Sequence, residues 1–476
     1  MAKLFSANKG GDSLGGMVFC SGCLKKQQKI DSLEEEIASL RMKLRYREKK
    51  EQQEFFGSST PSSKKKFKEK SSQENQKKQG GAKKGHKGNG RRMFTAEEAD
   101  EIVDYELEMT HCPDCNVLLG DKSIAERPVI EGEMLRPKKI LFRSETKRCP
   151  KCRKIFNKKL PVLKRNKYGT QFVSNSAIMH YLHSIPLKRV EDLWGNDIVA
   201  GNLIKTFHRI GGIFNPMMEL LKKDYREAEV KHADETGWRT DGANGYGWLF
   251  TCKHTSIFDF RDSRSAKIIL DILGEDKLGT VLVVDRYAAY NKAPCNLQYC
   301  YAHLLREAED LKKEFPKESE IKNFVNCVAP LISKAMSLRK ENISEKRYYK
   351  KAQKLKKKIM EAMNGPGKHA GVQKIQDIFR EKSHRLFHWV ENRNVPADNN
   401  YAERELRPTV IARKVSHGSQ SKAGARTRSI LMSVLHTVKK RLRSGTVEDW
   451  LNETLQKYIH NPDIDLRTLL PAIPDD

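Results

Sequence analysis

Apolar positions along the chain repeat with two different periods, and the change between them divides the sequence. Between residues 166 and 228 they recur every three or four positions, which is the period of amphipathic helices. From residue 229 onward, runs rich in β-branched and aromatic residues are separated by turn residues, which is the pattern of β-strands. The chain is therefore predicted to place a helical region before an α/β domain.

Four segments predict the core of that α/β domain. EVKHADETGWR, YGWLFTCKHTSIFDFRDS and GTVLVVDRYAAYN predict strands, and SAKIILDIL predicts a helix before the third. NLQYCYAHLLREAEDLKKEF is then typical of a strand that runs into a helix. Residues from about 310 to 392 are helical in pattern and rich in lysine, so we expect a helical insertion within a domain of residues 229–445. Residues 446–476 predict a short helical segment at the end.

The helical region 166–228 has a break that raises the question of DNA reading. FVSNSAIMHYLHSIPLKRVEDLW and AGNLIKTFHRIGGIFNPMMELLKKDY are apolar at helical spacing, and GNDIVAGN separates the helical patterns. Short helices around such a turn are compatible with a helix-turn-helix DNA-binding region. An ordinary helical bundle fits the same pattern.

Two segments of different character precede residue 94. Residues 1–56 have an irregular start and then a short apolar seam, which predicts an amphipathic or coiled-coil-like helix that packs on its own domain or pairs two copies. Residues 57–93 are rich in lysine and have almost no apolar side chains, so they predict a disordered basic linker, either simply solvated or sweeping along DNA. The seam consists of Ile30, Leu33, Ile37, Leu40 and Leu44.

Residues 94–165 contain two Cys-x-x-Cys motifs, HCPDC and RCPKC. Two such knuckles can bring four thiolates to one tetrahedral Zn²⁺, and a closed site of four protein ligands is structural rather than catalytic. We therefore predict a zinc-binding module, for which His111 is a possible substitute ligand. Cys20 and Cys23 form a third pair without a partner pair. The predicted zinc ligands are Cys112, Cys115, Cys149 and Cys152.

The charge of the chain indicates the class of partner. Lys and Arg number 90 against 61 Asp and Glu, which gives a formal net charge of +29. Such an excess favours a polyanion, because each neutralised phosphate releases counterions; a cationic surface for ribosomes or membranes is the alternative. The sequence has no apolar run long enough to span a bilayer and no signal-peptide pattern, so we expect a cytoplasmic, nucleoid-associated protein without a membrane partner.

Acidic residues near the predicted strands suggest metal-dependent phosphodiester chemistry. That chemistry needs carboxylates that converge on divalent cations, and Mg²⁺ prefers oxygen ligands. Asp285 closes the apolar run TVLVVD, and Asp234 is expected at the end of a short strand in VKHADETGW. An Asp after a strand commonly only caps a turn, and Glu235 and Asp241 compete for the first position.

A third acid is expected downstream, on a helix that packs against the sheet. In VPADNNYAERELRP, Asp398 or Asn399 can cap such a helix, and Pro408 is expected to end or kink it. Glu403 and Arg407 lie at i and i+4, where they could form a simple surface ion pair. The clustering of arginines and amides around these acids suits a phosphate-binding site better than a solvent face.

Taken together, an ordered series of motifs resembles the insertion-sequence-66 family of bacterial DDE transposases. Each motif is weak alone, but their order through most of the chain is specific. The segment KRLRSGTVEDWL departs from the family, which more often has an Asn-Gly link there, and the Cys20–Cys23 pair has no counterpart. Besides the two cysteine knuckles, the motifs are GSSTPSSKKKFK, GGAKKGHKG, IPLKRVEDL, ADETGWR, VVDRYAAY, CYAHLLRE, DNNYAERELRPTVIARK, SKAGARTRSILMSVLHTVK and a final DWL…LLP segment.

The resemblance implies an RNase H-like catalytic core with a helical insertion, in a multidomain α+β protein. It places the catalytic acids, which would also ligate two Mg²⁺ or Mn²⁺ ions, on Asp234, Asp285 and Glu403, with Glu405 as the runner-up for the third. The implied reaction is DNA cleavage at the ends of an insertion element and strand transfer into target DNA. The site region would include Trp238, His303, Asn399 and Asn400. DNA phosphates would be neutralised by Arg404, Arg407, Arg413 and Lys414, for which salt bridges to neighbouring acids are the alternative.

The expected partners follow from the same resemblance. They are the terminal inverted repeats, the target DNA, further copies of the chain in a dimer or higher oligomer, and possible accessory proteins of the same element. Two other functions stay open: a zinc-containing, sequence-specific DNA-binding regulator without catalysis, and another RNase H-like nuclease or resolvase. The first would bind DNA without Mg²⁺-dependent nicking, and the second would cut without joining ends.

Overall fold

A computed structural model describes residues 198–474 without a gap, residues 168–195, and shorter pieces upstream. The chain divides into two compact units, residues 1–59 with 139–476 and residues 60–138, and the fold below belongs to the first. The predicted basic linker, all four predicted zinc ligands, His111 and the Cys20–Cys23 pair lie outside the described residues. The shorter pieces are residues 160–164 and 166, strands at 146–148 and 155–157, helical positions 26, 28–37 and 40, and single positions 97, 116, 137, 140 and 142.

Residues 28–37 are helical, and we label this segment α1. Four of the five residues of the apolar seam are described, and they are exposed by 45–56%. Pairing of this seam with a second copy stays a prediction.

Two short strands lie on either side of the second cysteine knuckle in the sequence. Strands β1 (Thr146–Arg148) and β2 (Ile155–Asn157) pair antiparallel, with Lys147 opposite Phe156. The zinc-binding module to which they would belong stays a prediction.

Helices fill the region between residues 170 and 227, as the helical period predicts. Helix α4 packs on α13 (Lys422–Arg441) so closely that a Cβ added to Gly211 would lie 3.3 Å from Thr427 Cγ2. The apolar face of α4 is thus buried in ordinary helix packing, and a DNA-reading role for this region stays a prediction. The helices are α2 (Thr170–Ala177, continued by a π-helical stretch Ile178–Leu182), α3 (Leu187–Trp194), α4 (Ala200–Phe214) and α5 (Met217–Glu227).

A five-stranded mixed sheet forms the centre of the fold, in the order β5-β4-β3-β6-β7. Strands β3, β4 and β5 form an antiparallel meander, β6 pairs in parallel with β3, and β7 pairs in parallel with β6. Asp241 and Gly242 join β3 to β4 with φ of 54° and 74°, as a two-residue hairpin turn requires. The strands are β3 (Val230–Thr240), β4 (Ala243–Thr251), β5 (Ser256–Arg261), β6 (Val281–Val284) and β7 (Asn296–Tyr299).

Helix α13 covers the edge strand β5 with hydrogen bonds as well as apolar contacts. Three hydroxyl side chains of α13, four residues apart and therefore on one face, accept backbone N–H groups of the strand. These bonds satisfy edge donors that could otherwise pair with a strand of another molecule. The pairs are Phe260 to Ser429 (3.2 Å), Phe258 to Ser433 (2.8 Å) and Ser256 to Thr437 (3.0 Å).

The remaining helices include a long excursion between β7 and α12. The excursion leaves and returns at one junction, where Tyr301 N donates to Ala397 O (2.9 Å) and Asn399 N donates to Cys300 Sγ (3.1 Å). No helix in the described part of the chain is long and apolar enough to cross a membrane. These helices are α6 (Ala266–Leu273, before β6), α7 (Tyr301–Glu314), α8 (Ser319–Leu338), α9 (Glu345–Met363), α10 (Ala370–Glu381), α11 (His388–Glu391), α12 (Asn400–Ser416), α13 and α14 (Val447–His460). The architecture is a mixed α+β fold, as expected.

Strand β3 carries a buried cation, Lys231, whose Nζ donates to Ala228 O and to Thr280 Oγ1 (2.6 Å). Burial lowers its pKa to about 8.

The folded chain therefore binds the Lys231 proton more weakly than the unfolded chain does. The free energy of unfolding should rise between pH 8 and pH 10.5, the ordinary pKa of lysine. We expect Lys231→Met to remove a rise of roughly 3 kcal/mol. Denaturant unfolding of both proteins across this range would measure it, and parallel curves would contradict it.

Candidate active site

The parallel pairing of β3 with β6 places Asp234 beside Asp285. The register pairs His232 with Val283, and each aspartate lies two residues further along its chain. Since residues two apart in a strand point the same way, both carboxylates lie on the same side of the sheet.

The positions of the two aspartates within their strands agree with expectation for Asp285 but not for Asp234. Asp285 directly follows β6, as predicted. Asp234 is the fifth residue of an 11-residue strand and not the end of a short one, so that expectation is wrong. The strand continues because β4 pairs with it as far as Thr240, whereas β6 pairs only with its first three residues.

Helix α12 brings Glu403 close to this pair. Burial, and then the negative charges of Glu235, Asp285 and Glu403, raise the pKa of Asp234 well above its usual range. Like charges raise a carboxyl pKa in this way only when they lie close by. Asn399, four residues before Glu403, donates to Ala233 O (2.8 Å), the residue before Asp234, and the β3–β6 register places Asp285 beside that strand. The three predicted acids thus lie on neighbouring segments, two at the sheet and one on a helix.

Glu405, the runner-up for the third acid, is engaged elsewhere. Its Oε2 accepts a hydrogen bond from Ser256 Oγ (3.1 Å) and lies 3.3 Å from Lys440 Nζ. These partners belong to β5 and α13, so Glu405 joins the helix to the sheet. This geometry favours Glu403 as the third acid.

The two competitors for the first position are also engaged. Glu235 has a side chain only 3% exposed, and it accepts hydrogen bonds from Tyr290 Oη (2.5 Å) and Arg264 Nε (3.1 Å). Asp241 belongs to the β3–β4 turn, seven residues or about 23 Å along the strand from Asp234. The geometry therefore favours Asp234.

Glu403 is held from α7 by a residue that the sequence did not single out. Arg306 donates to Glu403 Oε1 (2.6 Å), and His303 Nε2 lies 4.0 Å from the same oxygen. Cys300, His303 and Glu403 offer one sulfur, one nitrogen and one oxygen, all within 4.8 Å of one another. The sequence signal for the α7 side of the site is the spacing of three in CYAHLLR. This spacing puts Cys300, His303 and Arg306 on one face at the start of α7.

The environment of the His303 ring favours its neutral form, which can act as a base or a metal ligand. Burial, and then the charge of Arg306, lower its pKa. Its Nδ1 is buried and has no hydrogen-bond partner within the described part of the chain. Both effects on the pKa favour the neutral form of the imidazole.

The start of α12 explains how Glu403 is positioned. Asp398 Oδ1 accepts the backbone N–H of Asn400 (3.0 Å), while Asn399 occupies the helix N-cap without capping the helix by its side chain. Pro408 is expected to end or kink the helix; it does not end it, because α12 continues to Ser416, and a kink at this proline stays a prediction.

Asn399 instead joins three segments of the chain. Its buried side chain donates from Nδ2 to Ala233 O (2.8 Å) and accepts at Oδ1 from His232 Nδ1 (2.9 Å). Its backbone N–H donates to Cys300 Sγ (3.1 Å). Ala233 adjoins Asp234, and Asn399 lies one turn before Glu403. These bonds therefore fix the distance between Asp234 on the strand and Glu403 on the helix.

Replacing Asn399 tests this positioning role. We expect Asn399→Ala to lower the free energy of unfolding by about 2–4 kcal/mol, because a carbonyl and an imidazole N–H are left buried and unpaired. Denaturant unfolding measures the loss, and Asn400→Ala, the same change at the next residue, is the control. A loss no larger than that of the control would show that the Asn399 contacts do not hold the helix.

The other predicted site residues have distinct positions. Trp238 is fully buried, and its Nε1 donates to Ser419 Oγ (3.1 Å), so it supports the sheet from inside. Arg413 donates to Thr236 Oγ1 (2.8 Å) and Gly237 O (3.0 Å), so it contacts strand β3. Exposed cationic side chains along α12 are those of Arg404, Arg407 and Lys414.

The donor set suits a divalent cation. Carboxylate oxygens are the ligands that Mg²⁺ and Mn²⁺ prefer. Burial, and then the neighbouring negative charges, raise the pKa of Asp234, and a bound cation would compensate those charges.

Comparison with known proteins identifies the family of the chain. Residues 165–427, more than half of the chain, match the family described as Transposase IS66 family, and all three acids fall within the match. A curated relative, the uncharacterized protein y4jD of Sinorhizobium fredii, is 22% identical over 262 residues, which are 50% of this chain and 47% of the relative. The chain thus spans about half the length of that relative. On the extent of the family match, the chain belongs to the IS66 family of transposases.

Proposed function

We propose that this transposase cleaves DNA at the ends of an insertion element and joins the freed ends to target DNA. The observation that carries the proposal is the convergence of Asp234, Asp285 and Glu403 within the region that matches the family. The sheet that carries the two aspartates, with α12 packed on it, would be the RNase H-like core that the resemblance implies.

The three acids would hold two Mg²⁺ or Mn²⁺ ions. When bound, such ions activate a water molecule for attack on a phosphodiester and stabilise the leaving 3′ oxygen. Asp234 must be deprotonated to ligate a cation, so its raised pKa makes cation binding stronger as the pH rises. No covalent protein intermediate is needed.

Cationic side chains around the acids would hold the DNA. Arg404, Arg407 and Lys414 are exposed along α12 and would neutralise backbone phosphates. Arg306 on α7 is half exposed and bonded to Glu403, so it would place a positive charge next to the three acids. Arg413 contacts β3, so its proposed phosphate contact would come in addition to its bonds with the sheet.

The proposal extends to the parts outside the catalytic site. Residues 94–165 would bind a structural Zn²⁺ through the four knuckle cysteines, and residues 166–228 would contribute to DNA binding. Two or more copies would act together on the two element ends, with accessory proteins of the same element as possible partners.

The decisive experiment incubates the full chain with duplexes carrying the terminal inverted repeats and a target plasmid, with Mg²⁺ or Mn²⁺. We expect nicks at the repeat ends and joined products, both lost with EDTA. Binding without nicking would point to a regulator, and cutting without joining would point to a nuclease or resolvase. Either result would overturn the proposal.

A further inference from the structure

Helix α9, in the helical excursion between β7 and α12, carries a strongly basic face that lies outside the candidate active site. Eight of its 19 residues are Lys or Arg and two are Glu. Its apolar side, from Tyr348 to Met363, packs inward. The exposed cationic residues are Lys346, Arg347, Lys350, Lys354, Lys357 and Lys358.

These cations form a row along the helix. Lys346, Lys350, Lys354 and Lys357 follow one another at steps of four, four and three, on the side opposite Tyr348. From Lys346 to Lys358 the row is about 18 Å long. One DNA strand places a phosphate about every 3.4 Å of axis, so a helix face of this length spans about five phosphates of one backbone, and its four lysines can contact about four of them.

Few carboxylates compensate this charge. Lys357 lies 3.9 Å from Glu361, whereas none of the other five exposed cations has a carboxylate within 4.0 Å among the described residues. Like charges at i and i+4 repel one another and destabilise a helix. A polyanion would relieve this repulsion, whereas apolar or cationic partners would not.

The basic row continues toward the candidate active site through Arg339 and Lys340, both exposed at the end of α8. Burial raises the pKa of Asp398, and the positive charges of Lys340 and Arg404 both oppose this rise. Burial raises the pKa of Tyr348 to about 12, and the charges of Arg393 and Arg339 oppose it. Arg393 Nη2 also donates to Arg339 O (3.4 Å), and its guanidinium carbon lies 5.0 Å from the centre of the Tyr348 ring, so Arg339 lies near the start of α9. Lys340 is the next residue and acts on Asp398, just before α12.

We propose that the exposed face of α9, continued by Arg339 and Lys340, binds the phosphate backbone of duplex DNA extending away from the candidate active site. This inference rests on the proposed function for the identity of the polyanion. Such contacts hold and orient the DNA but do not read its sequence. The helical excursion is thus assigned a substrate-binding role.

The test compares two variants with equal charge change. In the first, Lys346, Lys350, Lys354 and Lys357 are replaced by Gln. In the matched control the same replacement is made at four exposed lysines elsewhere. Both are made in full-length Asp285→Asn protein, and binding to an inverted-repeat duplex with flanking DNA is measured without divalent ions at several salt concentrations. The control lysines are Lys223, Lys277, Lys317 and Lys457.

We expect the α9 variant to bind at least 100-fold more weakly at low salt. The slope of log affinity against log salt should become shallower by about 3 to 4, because about 0.9 is lost per phosphate contact. The control should change the slope by less than about 1, and Lys→Arg replacements on α9 should restore it. Circular dichroism and thermal unfolding would verify that both variants are folded.

Each contrary result has a separate meaning. An unchanged slope in the α9 variant, or equal losses in both variants, would overturn the inference. Absence of DNA binding by the unmodified chain would overturn both the inference and the proposed function. If the α9 variant loses binding as expected but the unmodified chain neither cleaves nor joins DNA, the inference stands and the proposed function fails.

Discussion

Asp285→Asn is expected to abolish cleavage of inverted-repeat DNA, by about 10³-fold or more, while DNA binding stays within a few-fold of the unmodified chain. Asn has the same shape and can still accept the backbone N–H of Tyr287, which Asp285 Oδ1 accepts at 2.9 Å. It cannot supply the negative charge with which Asp285 would hold a divalent cation, and several kcal/mol of transition-state stabilisation would depend on that charge.

The measurement is a gel assay of nicked and joined products beside a binding assay with the same DNA. Asp271→Asn is the matched control, because Asp271 is an aspartate on helix α6 whose side chain is 36% exposed. Asp285 would be excluded from catalysis if its variant cleaved within tenfold of the control.

Glu403→Gln is expected to lower cleavage and Glu405→Gln to lower stability. Glu403→Gln should lower cleavage by about 10³-fold, because a proposed metal ligand loses its charge. It should change stability by less than about 1 kcal/mol, since Glu403 and Arg306 are 34% and 50% exposed and such ion pairs contribute little. Glu405→Gln should retain cleavage but lower stability by about 1–3 kcal/mol, because Lys440, 11% exposed, loses its carboxylate partner.

Each of these variants serves as the control for the other, since they differ by two positions on one helix. Cleavage assays and denaturant unfolding on both proteins give four values to compare. Lost cleavage in Glu405→Gln with full cleavage in Glu403→Gln would reverse the assignment of the third acid.

Much of the candidate site could be predicted because its signals are local. The run TVLVVD predicts a buried strand that ends at Asp285, and β6 ends at Val284. The helical pattern after Asn399 predicts α12 with its acids in the first turns. Local pattern could not set the length of β3, because β4 pairing extends that strand beyond Asp234.

The contacts that distinguish the acids could not be predicted, because they join distant parts of the chain. Arg306 lies 97 residues before Glu403, and His232 lies 167 residues before Asn399. Ser256 and Glu405 are 149 residues apart, so the sequence left Glu405 as an open alternative. Resemblance to a family supplied the order of the acids, but not the bonds that hold them.

The junction at which Tyr301 meets Ala397 has a consequence for biosynthesis. During synthesis, Asp234 and Asp285 leave the ribosome well before Glu403. Glu403 can approach them only after the helical excursion between β7 and α12 has folded back to the junction. A nascent chain that stops within this excursion would bear two of the three acids and would lack the proposed catalytic centre. Because the cost of closing a loop grows only with the logarithm of its length, the excursion could be longer or shorter without moving the three acids apart.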